Sequence, residues 1–240
     1  NLGLSEFRFE LDDAHNPFWI TSLYSHQIGL AGMQIEGVLV INPETGDITK
    51  YSINDAPSWI DRIYPASMVG DQIEDQGRLV HGIWNFSGRD KLIPTHTPTL
   101  VYGGDNKCYF YTGITSTGSD EGTIGFMLVD SRTKVAKKYL ESGATETSAI
   151  QSAEGTVQQM EYRASEPIMY NVEGVPTYVS SLKDKEGIVR MIAFISVRDY
   201  TAVGKGATTR DALRDYKSVL SSSGNATVPG YSSSEVKTTA

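Results

Sequence analysis

Short runs of apolar and β-branched residues, separated by polar turns, recur along this chain, and one such pattern occurs nearly twice. Residues 17–41, PFWITSLYSHQIGLAGMQIEGVLVI, resemble residues 176–197, PTYVSSLKDKEGIVRMIAFISV, with proline, aromatic, β-branched and Ser-Leu positions in the same order. In each copy two β-rich runs flank a short polar turn, which ends at Gly29 in the first and at Gly187 in the second. Because such runs joined by a Gly-containing turn are typical of β-hairpins, the pattern predicts two equivalent hairpins.

A weaker third copy lies between these two, with CYFYTGI at 108–114 and TIGFMLV at 123–129 around a longer polar turn. After each hairpin comes a turn and a further short strand, which the pattern places up to Tyr51, up to Tyr139 and near Tyr200. A unit of roughly 50 residues buries too little surface to be stable alone. Stacked copies bury one another's apolar faces, so the repetition predicts a tandem assembly.

Helical periodicity follows each of these short strands. In the last copy Thr208 is the predicted N-cap, and Leu213, Tyr216 and Leu220 share one face. In the middle copy Ser148 and Gln151 have capping-box spacing. The predicted apolar stripe of that helix consists of Ile150, Ala153, Val157 and Met160.

In the first copy the predicted helix lies in APSWIDRIYP, residues 56–65, with Asp55 or Ser58 near its cap. Pro65 is predicted to end this helix because proline cannot continue one. The stretch MVGDQIEDQG, residues 68–77, is predicted to add another turn or two. The inward-facing residues of the first helix are predicted to be Trp59, Ile60 and Ile63.

The predicted fold class is therefore α+β, with repeated hairpin, strand and helix units that form antiparallel sheets and helices packed on one face. The predicted boundaries are 1–77 for the first unit, 78–107 for a connecting segment, 108–165 for the second unit, 166–222 for the third and 223–240 for a Ser- and Thr-rich tail.

Composition and charge narrow the class of protein. The chain has 240 residues, of which 39% are hydrophobic and 21% charged, as in an ordinary globular protein with a core. Its formal net charge of −8 argues against a nucleic-acid surface, which needs clustered Lys and Arg. The most basic cluster, Lys134, Lys137 and Lys138, is interpreted as a solvated strand face. The single cysteine, Cys108, lies in an apolar run and is predicted to be a buried, inert thiol.

The first residues, NLGLSEFRFEL, follow no methionine, and no run approaches the roughly 18 apolar residues of a membrane helix. We expect a preceding segment, absent from this chain, to carry any membrane anchor. Low cysteine use fits the cytoplasm but also many bacterial envelope proteins. The predicted location is the extracytoplasmic face of a bacterial membrane or the medium outside the cell, and the cytoplasm is the alternative.

Local sequence indicates no metal or cofactor. The spacing of His15, His26, His81 and His96 matches no zinc motif, and GSDEG at 118–122 lacks the alternating ligands of an EF-hand loop. His81 is predicted to lie in a strand and His96 in an exposed loop.

Local sequence also indicates no catalytic residue. No G-x-S-x-G turn is present, and the S-x-x-K spelled by Ser131 and Lys134 falls at a strand turn instead of on a helix. Asp12 and Asp13 are expected to cap a turn. The sequence therefore assigns no catalytic, cofactor-binding or metal-binding residue and leaves the binding residues open.

A group of aromatic residues in the middle of the chain is expected to be mostly core, with a minority lining a groove for a peptide or glycan. The group consists of Trp84, Phe86, Tyr102, Tyr109 and Tyr111.

The hairpin followed by NPETGDITKY, residues 42–51, and then by a helix resembles the PepSY-like module. Thr45 and Gly46 match the Thr-Gly turn of that family, whereas the second copy has Arg132 and Thr133 without a glycine. The resemblance implies a binding or inhibitory module of bacterial envelope proteins or of secreted metallopeptidase propeptides, and names no functional residue.

The leading hypothesis is a non-enzymatic interaction or scaffold domain of a bacterial membrane-anchored envelope protein, with a protein or peptide as partner. The second is a PepSY-like peptide-binding or peptidase-inhibitory module. The third is a hydrolase whose site assembles from distant residues. Nucleic acid is excluded as a partner, contact with a membrane is expected only through a segment absent from this chain, and the oligomeric state stays open.

Overall fold

The computed structural model describes residues 2–26, 33–78, 92–103, 105, 107–116 and 122–222. Within these residues the chain forms three antiparallel sheets of five strands each and three α-helices. Strand outweighs helix, so the molecule is rich in sheet. The prediction of antiparallel sheets is confirmed.

The first sheet and its helix span the first third of the chain. Strand β3 pairs with the short strands β1 and β2 on one side and with β4 on the other, and β4 pairs with β5. The elements are β1 (Leu2–Leu4), β2 (Arg8–Leu11), β3 (Pro17–His26), β4 (Met33–Ile41), β5 (Ile48–Tyr51) and α1 (Ala66–Arg78).

The same order of elements recurs twice. The second sheet and helix are β6 (Leu92–Pro94), β7 (Thr99–Tyr102), β8 (Cys108–Ser116), β9 (Gly122–Asp130), β10 (Ala136–Ala144) and α2 (Glu146–Gly155), which is followed by a 3₁₀ turn at Gln158–Met160. The third sheet and helix are β11 (Arg163–Ala164), β12 (Ile168–Val172), β13 (Val175–Lys183), β14 (Val189–Ser196), β15 (Val203–Gly206) and α3 (Thr209–Ser222).

The three predicted hairpins are confirmed as β3–β4, β8–β9 and β13–β14. Gly187 lies in the β13–β14 turn with φ of +80°, a left-handed conformation that favours glycine. Gly29, the predicted counterpart, lies outside the described residues. The last strand of the third sheet begins at Val203, because Tyr200 occupies the turn before it.

Each hairpin is preceded by two short strands that pair with its first strand. The stretch 78–107, interpreted from the sequence as a connecting segment outside the units, therefore supplies β6 and β7 to the second sheet. In every unit, the segment that joins the two short strands donates one backbone hydrogen bond to the first strand of the hairpin. Its donors and acceptors are the N–H and C=O groups of Ser5 and Ser22, Thr95 and Gly113, and Ser165 and Ser181.

The prediction that helices pack on one face of the sheets is wrong. In the third sheet Tyr178 clusters with Ala149 and Ala153 of α2, whereas Val179, the next residue, clusters with Tyr216 of α3. Successive side chains of a strand point to opposite faces. The third sheet is therefore covered on both faces, by the helix before it and by the helix after it.

The prediction for the first helix is also wrong in position. Helix α1 begins at Ala66, directly after Pro65, instead of ending there. Proline suits a helix start because the first helical N–H groups have no intrahelical partner. Ile60 and Ile63 are buried as predicted, but they belong to the irregular segment that covers the first sheet.

Helix α2 begins three residues earlier than predicted. Thr145 is the N-cap, and its Oγ1 accepts a hydrogen bond of 3.3 Å from the backbone N–H of Ser148. The buried face of the helix consists of Glu146, Ala149 and Ala153, and Val157, two residues after its end, is also buried. Ile150 is only partly buried and Met160 is exposed, so the stripe is rotated by one residue from the prediction.

The prediction for the last helix is confirmed. Oγ1 of Thr208 accepts a hydrogen bond of 3.2 Å from the N–H of Asp211. Tyr216 is buried, and Leu213 and Leu220 pack partly buried in the same cluster.

Candidate functional site

A cleft of about 370 Å³ lies between one face of the second sheet and the edge strand β12 of the third sheet. Its lining is dominated by aromatic side chains, which come from β7, β8, β9, β10 and β12. These are Tyr102, Tyr109, Tyr111, Phe126, Tyr139 and Tyr170.

The sheet-side wall of the cleft is built by cross-strand pairing. Phe126 of β9 lies opposite Tyr139 of β10, and their rings stack with centroids 4.7 Å apart at an interplanar angle of 12°. Tyr111 of β8 lies beside them, with its centroid 5.7 Å from that of Phe126. Adjacent strands hold these rings on one face, so the wall is formed before any ligand arrives.

Hydrogen bonds anchor two tyrosines of the cleft. Tyr109 donates to Asp105 at 2.6 Å, and Tyr102 donates to Asp61 at 3.1 Å. The bond to Asp105 raises the pKa of Tyr109 to about 12, and the same bond lowers the pKa of the Asp105 carboxyl. Both phenols are therefore neutral donors at physiological pH.

The opposite wall of the cleft is a strand edge. Among the described strands, β12 pairs with β13 alone, and four consecutive residues of β12, Ile168–Asn171, line the cleft. Alternate backbone groups of an edge strand point away from its own sheet. An aromatic face therefore lies beside a row of backbone hydrogen-bonding groups.

Behind Tyr111 lies a buried polar cluster. The Tyr111 hydroxyl donates to Oε1 of Glu146 at 3.4 Å, and Nε2 of His96 lies 3.9 Å from the same oxygen. Glu146 is 3% exposed. Among the described residues, Thr95 Oγ1, His96 Nε2 and Glu146 Oε2 are buried with no hydrogen-bond partner. Burial and the charge of Glu146 raise the pKa of Tyr111.

This cluster occupies the place where the second unit departs from the repeat. Gly113 stands where the first and third units have Ser22 and Ser181, as the shared backbone hydrogen bond shows. A Cβ at Gly113 would overlap Oε1 of Glu146 and lie 2.5 Å from Oγ1 of Thr95. The missing side chain therefore makes the room that the buried carboxylate fills.

We expect Gly113→Ser, which introduces the residue of the other two units, to lower the free energy of unfolding by about 1–3 kcal/mol through overpacking. In Glu146→Ala/Gly113→Ser the carboxylate is gone, and the serine then overlaps only the Thr95 hydroxyl, the end of a side chain that can rotate away. The double variant should lose at least about 1 kcal/mol less than the sum of the single losses. Urea unfolding of all four proteins measures this coupling, and additive losses would show that the two groups do not compete for the same space.

The structure corrects one histidine prediction. His96 was predicted to be an exposed loop residue, but its side chain is 14% exposed and lies against Tyr111 and Glu146. Because β6 pairs with β8, the loop that follows β6 and carries His96 lies against the second sheet. Local sequence does not indicate this pairing. His81, Trp84, Phe86 and residues 118–121 of the GSDEG stretch lie outside the described residues.

Sequence reasoning found half of the cleft. Tyr102, Tyr109 and Tyr111 were singled out, and all three line it. Phe126, Tyr139 and Tyr170 were missed, because the register that pairs Phe126 with Tyr139 and the strand that carries Tyr170 are features of the tertiary structure. Glu146 was missed because a glutamate at the start of a helix is ordinary.

Other candidate groups have structural roles. The Ser131 hydroxyl donates to the carbonyl oxygen of Cys108 at 2.9 Å and lies at the β9–β10 turn. Asp12 Oδ1 accepts from the N–H groups of Ala14 and Asn16, which confirms the predicted turn cap. Cys108 is buried as predicted, and burial raises the pKa of its thiol.

Comparisons of the chain with known protein families, with curated proteins and with solved structures find no match. The resemblance to the PepSY-like module therefore stays a prediction. In the described part of the chain, no helix is both long enough and apolar enough to cross a membrane.

Proposed function

We propose that the protein is a non-enzymatic interaction module that binds an extended peptide segment in the aromatic cleft. One observation carries this proposal: four consecutive residues of β12, whose outer edge pairs with no other described strand, lie opposite a preformed aromatic wall. The proposal joins the interaction-domain hypothesis to the peptide-binding alternative.

Extended peptides bind such an arrangement by adding a strand. Main-chain hydrogen bonds to the edge strand supply affinity, and pockets for alternate side chains supply specificity. In this cleft the alternate side chains would pack on the rings of Tyr111, Phe126 and Tyr139. A volume of about 370 Å³ is at the small end of ligand sites, so the segment it holds is short.

The hydrolase alternative has weaker support. His96 and Glu146 form a buried pair, as a general base and its orienting acid would. However, a hydrolase nucleophile needs a hydrogen bond to its base. Nε2 of His96 has no such partner among the described residues. Location at the bacterial envelope stays a prediction.

Selection from a library of random linear peptides on the immobilised full chain would test the proposal, followed by calorimetric titration of the selected peptides. We expect Tyr170→Ala, in strand β12, to weaken binding at least about tenfold, because stacking area is lost. Tyr200→Ala is the matched control. Both side chains are 49% exposed, but Tyr200 lies in the β14–β15 turn, outside the cleft.

Two results would contradict this function. One is a selected peptide that binds the Tyr170→Ala variant as tightly as the unchanged protein. The other is binding to a glycan array, weakened by Tyr170→Ala, with no peptide recovered from the library. The second result would keep the cleft but assign it to sugars.

A further inference from the structure

A row of side chains crosses each sheet at the same register. The first row, in the order of cross-strand pairing, is Phe9, Trp19, Ile41 and Ile48. The second row is Leu100, Phe110, Val129 and Ala136. The third row is Met169, Tyr178, Ile195 and Val203. The rows are equivalent because β2, β7 and β12 each supply the first member and the following three strands supply the rest.

Helices of the preceding unit cover the second and third rows. Helix α1 packs on the second row through Val69 and Ile73. Helix α2 packs on the third row through Ala149 and Ala153. The central side chains of both rows are buried as a result. Small or branched apolar residues four positions apart on one helix face therefore complement such a row.

No helix among the described residues covers the first row. Phe9 is 54% exposed, Trp19 42% and Ile48 64%. Leu11, on the same face of β2, is also exposed. Contiguous apolar groups on a protein surface mark a site of interaction.

The third sheet, at the other end of the series of units, has a helix on its outer face. Helix α3 covers the outer face of the third sheet, and its exposed side chains include Arg210, Arg214 and Lys217. A polar outer face is the mark of a capping element in repeat proteins. The outer face of α3 offers no apolar stripe to the first row of a second copy, so head-to-tail stacking does not explain the exposed row.

Charge indicates what kind of helix fits. Residues 1–78 contain 12 acidic and 4 basic side chains, a net charge of −8 that equals the value for the whole chain. Three exposed carboxylates, those of Asp13, Glu44 and Asp47, lie in the two turns at the end of the sheet next to the first row. A basic partner is therefore attracted to this end and held in register.

We propose that the first row is the docking site for a basic amphipathic helix of a partner protein, seated as α1 and α2 are seated on the second and third rows. Its apolar stripe of small and branched residues covers Phe9, Trp19 and Ile48. Its Lys and Arg residues face the carboxylates of the two adjoining turns. This site is separate from the aromatic cleft.

The test uses the full chain and a synthetic helix with Ala and Val four residues apart on one face and Lys at most other positions. Calorimetric titration should show binding that Ile48→Asn weakens at least about tenfold, since apolar burial is lost. Ile188→Asn is the matched control, because Ile188 is also exposed, at 51%, but lies in the β13–β14 turn. Raising the salt from about 0.1 M to about 1 M, which shortens the Debye length from about 10 Å to about 3 Å, should also weaken binding.

Three results would overturn the proposal. Equal affinity for the Ile48→Asn variant would place the helix elsewhere. Equal affinity for a peptide with Glu in place of Lys would remove the charge argument. The third is self-association of the protein alone, detected by sedimentation velocity and abolished by Ile48→Asn. That result would assign the first row to a second copy of the chain and not to a partner helix.

Discussion

Val157→Asp is expected to lower the free energy of unfolding by several kcal/mol or to abolish folding, whereas Gln158→Asp should change it by less than about 0.5 kcal/mol. Val157 is 2% exposed and belongs to the cluster that joins α2 to the third sheet. An aspartate at this position would be buried without a partner. Its neighbour Gln158 is exposed, so the same charge there stays in water.

The size of this effect follows from what the cluster joins. Its members come from the second sheet, α2 and the third sheet, and include Tyr111, Ala153 and Tyr178. A charge at Val157 therefore weakens the contact between two units, which separately bury too little surface. Urea unfolding at neutral pH compares the two variants. Equal midpoints would mean that the segment after α2 is not docked as described.

Gly204→Ala is the second substitution with a large expected effect, a loss of about 3 kcal/mol or more. Gly204 lies in β15, where α3 crosses the strand. A Cβ at this position would overlap the backbone nitrogen and Cα of Tyr216. The backbone atoms of a helix are held together by its hydrogen bonds and cannot shift singly. The whole of α3 would therefore move away from the third sheet. Tyr216 would then lose its hydrogen bond of 2.9 Å to Thr177.

Gly155→Ala is the control for this prediction, because no atom lies within 4 Å of a Cβ at Gly155. Gly155 is the last residue of α2 and has a helical backbone, so alanine should stabilise by up to about 1 kcal/mol. Thermal unfolding should show a lower midpoint for Gly204→Ala and a higher midpoint for Gly155→Ala than for the unchanged protein. A Gly204→Ala protein as stable as the unchanged one would show that α3 does not approach β15 this closely.

The hairpins were predictable because each is coded locally. Runs of nine or ten residues rich in aromatic and β-branched side chains predict β3 and β13, and Gly187 marks the turn between β13 and β14. The cap at Thr208 was equally local, since one hydroxyl and the N–H group three residues later form it.

The short strands were not predictable by the same reasoning. A segment such as β11, Arg163–Ala164, is too short to show any period, and it is a strand only because β13 lies beside it. The repeated pair Ser-Glu at Ser5 and Ser165 is a signal that would have found the crossing before the first and third hairpins.

The sequence by itself determined the tandem hairpins, the amphipathic last helix with its cap at Thr208, and the aromatic content of the middle unit, because each depends on neighbours close in the chain. Only the tertiary structure decided that β12 faces the aromatic wall, that His96 lies partly buried beside Glu146, and that the first row is exposed while the second and third are covered. Those features depend on which helix or strand of another unit lies against a face. The periodicity of a strand shows that two faces differ, but not what each one meets.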